Sequence, residues 1–274
     1  MLGKLLKYDI KREFKSLIPM YGIVIILPLV IRIMTFIKEK VAAFSFIANI
    51  ILVVYVVALV GLFFLTFFNS IRNFLNNVLK DEGYLTHTLP VKKSSIIISK
   101  EITAMITITV SVVMIILSLF LAFYDGTPLS VLFEPIHYFA EQFAIFYGMG
   151  NIEFYIFWIL FIVISYISYI VTFHLALLLG HTRNENKIVF SIVFGIIIYL
   201  ALQVVSMLGL GLNILIKPEI MDALGSTTNS MEDLAILGES MQFVLYTQLI
   251  ISIITPIVIH FISCNVLKKK LNLE

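Results

Sequence analysis

Residues 43–69 run for 27 positions without a charged side chain, and residues 188–216 for 29. A helix that crosses about 30 Å of hydrocarbon needs roughly 20 apolar residues. Both stretches clear that length, and they constrain the fold more than anything else in the chain. Six segments meet the standard, near 17–37, 43–69, 102–124, 154–181, 188–216 and 241–266. Of the 274 residues, 60% are hydrophobic and 13% charged. Soluble domains carry about 45–50% and about 25%. A soluble protein of this size cannot wet that much apolar surface. A soluble enzyme, a disordered chain and a disulfide-stapled secreted domain are excluded. The one cysteine, Cys264, also excludes an internal disulfide and a cysteine metal cluster. The expected architecture is a single all-α transmembrane domain over 1–274 with six spans. The longer segments imply tilt or protruding ends.

Charge placement orients the spans. With six of them, both termini and the segments 70–101 and 182–187 share one side. That side holds 15 of the 19 Lys and Arg residues and 7 of the 17 acidic ones, hence +8. The other side holds four basic and ten acidic residues, hence −6. Both termini are therefore expected to be cytoplasmic, with 125–153 and 217–239 as extracellular loops. The basic start followed by a long span, without a small-residue cleavage pattern, does not read as a cleavable signal peptide.

Residues 1–16 read as an amphipathic interfacial helix. Leu2, Leu6, Ile10, Phe14 and Leu17 fall on one stripe, and Lys4, Lys7, Lys11 and Lys15 on a neighbouring one. Such a helix suits an anionic membrane surface. It serves either as a topology anchor or as a lever touching a cytoplasmic partner.

Residues 70–101 form the largest cytoplasmic piece. Ile71, Phe74, Leu75, Val78 and Leu79 make an apolar face that continues the second span. Asp81-Glu82-Gly83 is expected to end that helix. Thr88-Leu89-Pro90 imposes a turn or an extended run, and Ser94 or Ser95 then caps the third span. The excursion is too small for a catalytic domain. Its tip, with Tyr84, Leu85 and Leu89 ringed by charges, has the composition of a docking surface.

The run from Asp81 through Glu82, Gly83, Tyr84, Leu85, Thr88 and Leu89 to Pro90, followed by Ser99-Lys100, resembles the permease subunits of ABC-2 type transporters. The start, Leu5 to Phe14, and the lysine run 268–270 before Leu271 are similar as well. The six-span plan extends the resemblance over the whole length, and its specific part is the cytoplasmic run of about twenty residues. The resemblance implies an ABC-2, type V-like exporter fold in a bacterial plasma membrane. It implies two copies of a cytoplasmic ATPase docked on the loop, and a second permease subunit, identical or homologous. ATP and Mg would be bound by the partner ATPase, with no cofactor on this chain. By resemblance, residues 81–90 are the coupling element. The N-terminal helix, through Leu6, Ile10 and Phe14, is the connecting lever. His87 stands where the family often has an apolar residue, so no role carries over to it.

The loop 125–153 mixes Val131, Leu132, Tyr138, Phe139, Phe143, Phe146 and Tyr147 with Glu134 and Glu141. That composition suggests a helix on, or dipping into, the outer leaflet. Residues 217–239 are acidic, with a turn at 225–230. Ile214–Leu224 and Met231–Gly238 are candidates for the short re-entrant helices found in that family.

No phosphate-cradling Gly-Lys-Ser/Thr loop, no His-Glu-x-x-His motif and no acidic pair within a span occurs. No catalytic or metal-ligating residue is therefore assigned. The basic residues flank spans, which topology explains, so no nucleic-acid partner is expected. Gly209-Leu-Gly reads as close helix packing. Polar residues inside spans are pathway candidates. Ser165, Ser168 and Thr172, beside Tyr166 and Tyr169, form either the polar wall of a cavity or a small-residue packing face. Gln203 serves as helix glue or as a substrate contact. His174 and His260 read as interhelical hydrogen bonding or as a proton relay. Asn49 and Asn69 are open in the same way. Pro28 and Pro256 are candidate kinks.

The expected function is the membrane subunit of an ATP-driven exporter of an amphiphilic substrate (a peptide, a lipid-like molecule or a drug). A non-transporting scaffold or sensor partner is a second reading. A gradient-driven carrier is a third, less favoured because no carboxylate lies at a midplane.

Overall fold

A computed structural model describes residues 2–40, 45–80, 83, 88, 90–218 and 231–269. Helices α1 (Leu2–Lys40), α2 (Ser45–Leu79) and α3 (Lys93–Phe123) come first. They are followed by α4 (Leu129–Phe146), α5 (Asn151–Gly180), α6 (Lys187–Ile216) and α7 (Met231–Lys269). The described residues contain no strand. All of these helices but α4 are long and apolar enough to cross a membrane, which makes six among the described residues. The protein is an all-helical, multi-pass membrane protein.

The described residues form two compact units, one up to Thr127 and one from Pro128. In the first, α1, α2 and α3 pack mutually. The apolar part of their seam is Leu17, Tyr21 and Val24 of α1 against Leu62 of α2, with Val110 and Met114 of α3 beside them. The outer faces, such as Val57, Phe63 and Phe64 on α2 and Ile116 on α3, are exposed apolar surface suited to lipid. In the second unit, α5 packs on α6 and α7, and α4 packs on α5 and α7. Helix α6 buries only Ser191, Gly209 and Asn213. Close approach replaces apolar burial here: a Cβ on Gly180 of α5 would run into the Ser191 backbone, and one on Gly238 of α7 into the Phe146 carbonyl.

Several local expectations change. The helix expected over 1–16 does not end there, because α1 continues through the span without a break. Its buried line runs through Asp9, Glu13, Leu17, Tyr21, Val24 and Ile31, so the same face is turned inward from Asp9 to Ile31. Helix α2 ends at Leu79 in one π-helical turn, Leu75–Leu79, with Lys80 extended. That is two residues before the Asp81-Glu82-Gly83 stop. Neither Ser94 nor Ser95 caps α3, which starts at Lys93 with Lys92 at its N-cap. The Ser95 amide is instead satisfied by the Lys92 carbonyl at 2.9 Å. Met231–Gly238 is the first part of α7 rather than a separate short helix. Most of Ile214–Leu224 and all of 225–230 lie outside the described residues.

A helix is expected within 125–153, and α4 stands there. Ala140 and Ala144 are its buried residues, while Phe133, Phe139 and Phe143 are exposed. Its C-terminus is a Schellman closure. The Met149 amide donates to the Ala144 carbonyl at 2.8 Å, and the Gly148 amide to the Ile145 carbonyl at 3.1 Å. Gly148 takes the positive φ, +65°, that this closure requires. Before α4, the Thr127 hydroxyl and amide both donate to the Asp125 carboxylate and hold its pKa below the usual value.

Candidate functional site

The three helices of the first unit are joined by polar side chains that apolar periodicity does not announce. Helix α1 contributes Asp9 and Glu13, both buried. Helix α3 contributes Ser99, Lys100, Thr103, Thr107, Ser111 and Ser118, all buried, on one stripe. Helix α2 contributes Thr66, Asn73 and Asn77. Residues three and four apart share a helix face, so each set lines one side of its helix.

At one end of the seam the contacts are ionic. The Lys100 ammonium donates to Asp9 Oδ1, and the Ser99 hydroxyl donates to Asp9 Oδ2 at 2.8 Å. One turn further along α1, Glu13 is held from two helices. Asn73 Nδ2 donates to its Oε1 at 2.6 Å, and the Thr107 hydroxyl to its Oε2 at 2.7 Å. Asn77 Nδ2 donates to Asn73 Oδ1 at 2.5 Å, and Arg12 Nη1 donates to Asn77 Oδ1 at 2.6 Å. The neighbouring Arg12 and Glu13 are thus linked through two amides of α2. Buried charge is tolerated only where it is paired and hydrogen-bonded; the Asp9–Lys100 pair meets that condition, and Glu13 is held by hydrogen bonds from Asn73 and Thr107.

Further along, the hydroxyls form directed chains. Thr66 donates to the Leu62 carbonyl at 2.8 Å, so Ser111, 2.8 Å away, donates to Thr66. Tyr21 then donates to Ser111 at 2.7 Å. Ser118 donates to the Val24 carbonyl at 2.7 Å, so Tyr55 donates to Ser118 at 2.9 Å. Each hydroxyl has one proton, which fixes these directions. Thr103 Oγ1 is buried without a hydrogen-bond partner, within this same stripe.

The residues singled out in the sequence fall into three groups. Phe14 packs on the apolar seam, its ring 6.2 Å from that of Tyr21, while Leu6 and Ile10 are half-buried beside the Asp9 line. Of the coupling element, Gly83 is buried and its amide donates to the Lys80 carbonyl at 2.6 Å. Thr88 and Pro90 are exposed. Asp81, Glu82, Tyr84, Leu85 and Leu89, with His87, lie outside the described residues.

The third group is on α5 and α6. Ser165 and Thr172 are half-buried, whereas Tyr169 and Gln203 are exposed. The bridging polar contacts between α6 and α7 are made elsewhere. Thr247 donates to Asn213 Oδ1 at 2.8 Å, and Gln248 Nε2 to Ser206 at 3.1 Å. His174 is buried, and His260 Nε2 lies 3.5 Å from the Cys264 sulfur. Asn69 donates to the Glu13 carbonyl at 3.4 Å.

Ser99-Lys100 and the Leu5–Phe14 run that holds Asp9 and Glu13 entered the sequence reading only through the resemblance, and Asn73, Asn77, Thr103, Thr107, Ser111 and Ser118 were not singled out. A signal for them exists. Asn69, Asn73 and Asn77 recur every fourth residue, as do Thr103, Thr107 and Ser111. Among the described residues no cluster of three or more His, Cys, Asp or Glu could hold a metal ion.

Together these features define a class: a multi-pass helical membrane protein whose first three helices are locked at one end by a buried polar network. No family model, no curated protein and no solved structure matches the chain.

Proposed function

We propose that the chain is the membrane-spanning subunit of an ATP-driven exporter of the ABC-2 permease kind. Both termini would lie in the cytoplasm, and a separate ATPase would bind and hydrolyse ATP with Mg. One observation carries the reading: the polar network ties together the two segments on which a cytoplasmic motor would act. These are the N-terminal part of α1, through Asp9, Arg12 and Glu13, and both flanks of the 80–92 connection, through Asn77 and Lys100. A push on that connection would move α1, α2 and α3 as one body, because side chains from all three close the network. The π-helical turn at Leu75–Leu79 stands where α2 enters the connection. Such turns are frequent at functional sites.

ATP binding would draw two ATPase subunits together. The displacement would shift two permease bundles between inward-closed and outward-open states, a population shift set by differential nucleotide affinity. The second permease is either another copy or a homologue. The substrate class is amphiphilic, in keeping with the apolar, aromatic helix faces. The membrane is a bacterial plasma membrane by the same resemblance.

The test replaces Glu82, Tyr84 and Leu89 singly by Ala, then measures the ATPase activity that co-purifies with the chain together with transport in proteoliposomes. Loss of association or of ATP-dependent transport is expected. Unchanged association and transport in all three variants would remove the coupling assignment. The buried carboxylate of Glu13 favours a second reading, a proton-driven carrier. That reading requires transport without ATP, dependent on a proton gradient and lost in Glu13→Gln.

A further inference from the structure

At the start of α5, a groove of about 720 Å³ opens on the surface of the second unit. Its walls are apolar: Ile156, Leu160 and Leu249 stand around Phe157, which is buried. The first two are 54% and 47% exposed, so the groove is open to whatever surrounds the helices. One acidic side chain enters it. Glu153 Oε1 accepts from the Tyr246 hydroxyl, and Oε2 accepts from the Gly150 amide at 3.3 Å. Two donors fix the carboxylate in place and stabilise its charge, and an ionised carboxylate has about four acceptor positions. Half of them are left for a ligand. The Phe157 and Tyr246 rings meet edge to face at 5.6 Å beside it, which holds the Tyr246 hydroxyl against the carboxylate.

We propose that this groove binds a single-chain amphiphile with an ammonium head, the head on Glu153 and the alkyl tail along Ile156, Leu160 and Leu249. Charge and shape select this occupant. A fixed anion at the mouth of an otherwise apolar trough is matched by a cation with an apolar tail, and an anionic or uncharged amphiphile leaves the carboxylate unpaired. The 125–153 and 217–239 side of the chain, at −6, would draw such cations towards it. The site belongs to the second unit alone and does not rest on the transporter reading, since binding needs no ATPase.

The protein carries its own reporter. Trp158, its one tryptophan, packs edge to face on Phe157 with ring centroids 5.7 Å apart. The full-length chain in phosphatidylglycerol nanodiscs is titrated with bromododecyl-trimethylammonium and, separately, with bromododecyl maltoside, and Trp158 quenching is followed. Saturable quenching by the cation is expected, weakened about tenfold in Glu153→Gln and restored in Glu153→Asp, with the maltoside unaffected by either change. Should Glu153→Gln lower the yield of folded protein, Leu160→Phe crowds the groove without touching the carboxylate and must weaken the cation in the same way. Equal quenching by the two probes, or an unchanged cation affinity in both Glu153→Gln and Leu160→Phe, overturns the proposal. So does loss of cation binding when phosphatidylethanolamine replaces half the lipid, which would make the occupant a bilayer headgroup.

Discussion

Asp9 and Lys100 form a buried ion pair across 91 positions of sequence, the side chains only 11% and 6% exposed. It fastens the N-terminal part of α1 to the first turns of α3. Ser99 satisfies the second carboxylate oxygen. Breaking one member leaves the other charged and buried, at a cost of about 3–5 kcal/mol, whereas replacing both by apolar groups of similar volume is often neutral. Asp9→Leu and Lys100→Met should each lower the melting temperature in detergent strongly, and the double variant should recover most of the loss. A double variant that only adds the two single losses would show that the pair is not coupled in the folded protein.

Glu13 offers a graded test. Ala at this position strands Asn73 Nδ2, a buried donor, at about 1–3 kcal/mol. Gln keeps an acceptor for Asn73. The Thr107 hydroxyl can turn its one proton to the Thr103 or Ala104 carbonyl, at 2.9 and 3.2 Å, and accept from the Gln amide instead. Thermal unfolding should therefore rank wild type above Glu13→Gln, and Glu13→Gln above Glu13→Ala. The reverse order of the two variants would contradict the hydrogen-bond assignment.

Glycine substitutions separate backbone contact from side-chain contact. On Gly180 a methyl group meets the Ser191 backbone, which cannot rotate away, so α5 and α6 must part. On Gly209 it meets only the end of the Ile251 side chain. Overpacking costs about 1–3 kcal/mol where nothing can give. Gly180→Ala should lower stability by that order and Gly209→Ala by less than about 1 kcal/mol. Equal melting shifts would argue against this close helix contact.

The orientation from charge placement is open to direct measurement. In a Cys264→Ser background, an impermeant maleimide added to intact cells should label Ser226→Cys. It should label Lys7→Cys only after permeabilisation. Labelling in the opposite pattern would invert the topology and move the proposed coupling face to the other side of the membrane.

The six spanning helices were legible because their signal is one-dimensional. Hydrophobic length against bilayer thickness needs no knowledge of neighbours, and residues 45–69 of the first uncharged run and all of 188–216 lie inside α2 and α6. The aromatic helix within 125–153 was legible from composition, and α4 is there. Helix ends were less so. Ser94 and Ser95 have the chemistry of N-caps, yet α3 begins at Lys93, because cap choice depends on where the preceding connection delivers the chain.

The candidate site was hardly legible. In sequence, Asp9, Arg12 and Glu13 look like the solvated face of a basic amphipathic helix. In the fold, Asp9 and Glu13 are the most deeply placed side chains of that segment, and the lysines around them are exposed. Which side of a polar helix is buried depends on partner groups that lie 56 to 94 residues away. Gln203 shows the converse: a lone amide in a span read as glue or as a substrate contact, while Asn213 and Ser206 make bridges to α7.

What the amino-acid sequence determined by itself is the solvent and the number of crossings. Transfer of apolar side chains from water to lipid is a sum over local stretches, so 60% hydrophobic residues in six runs leave no other outcome. What only the tertiary structure decided is which few polar groups are paired away from lipid. Hydrogen bonds and ion pairs are short-ranged and directional, so Asp9, Glu13, Asn73, Thr107 and Lys100 acquire their roles only when three helices bring them within 3 Å.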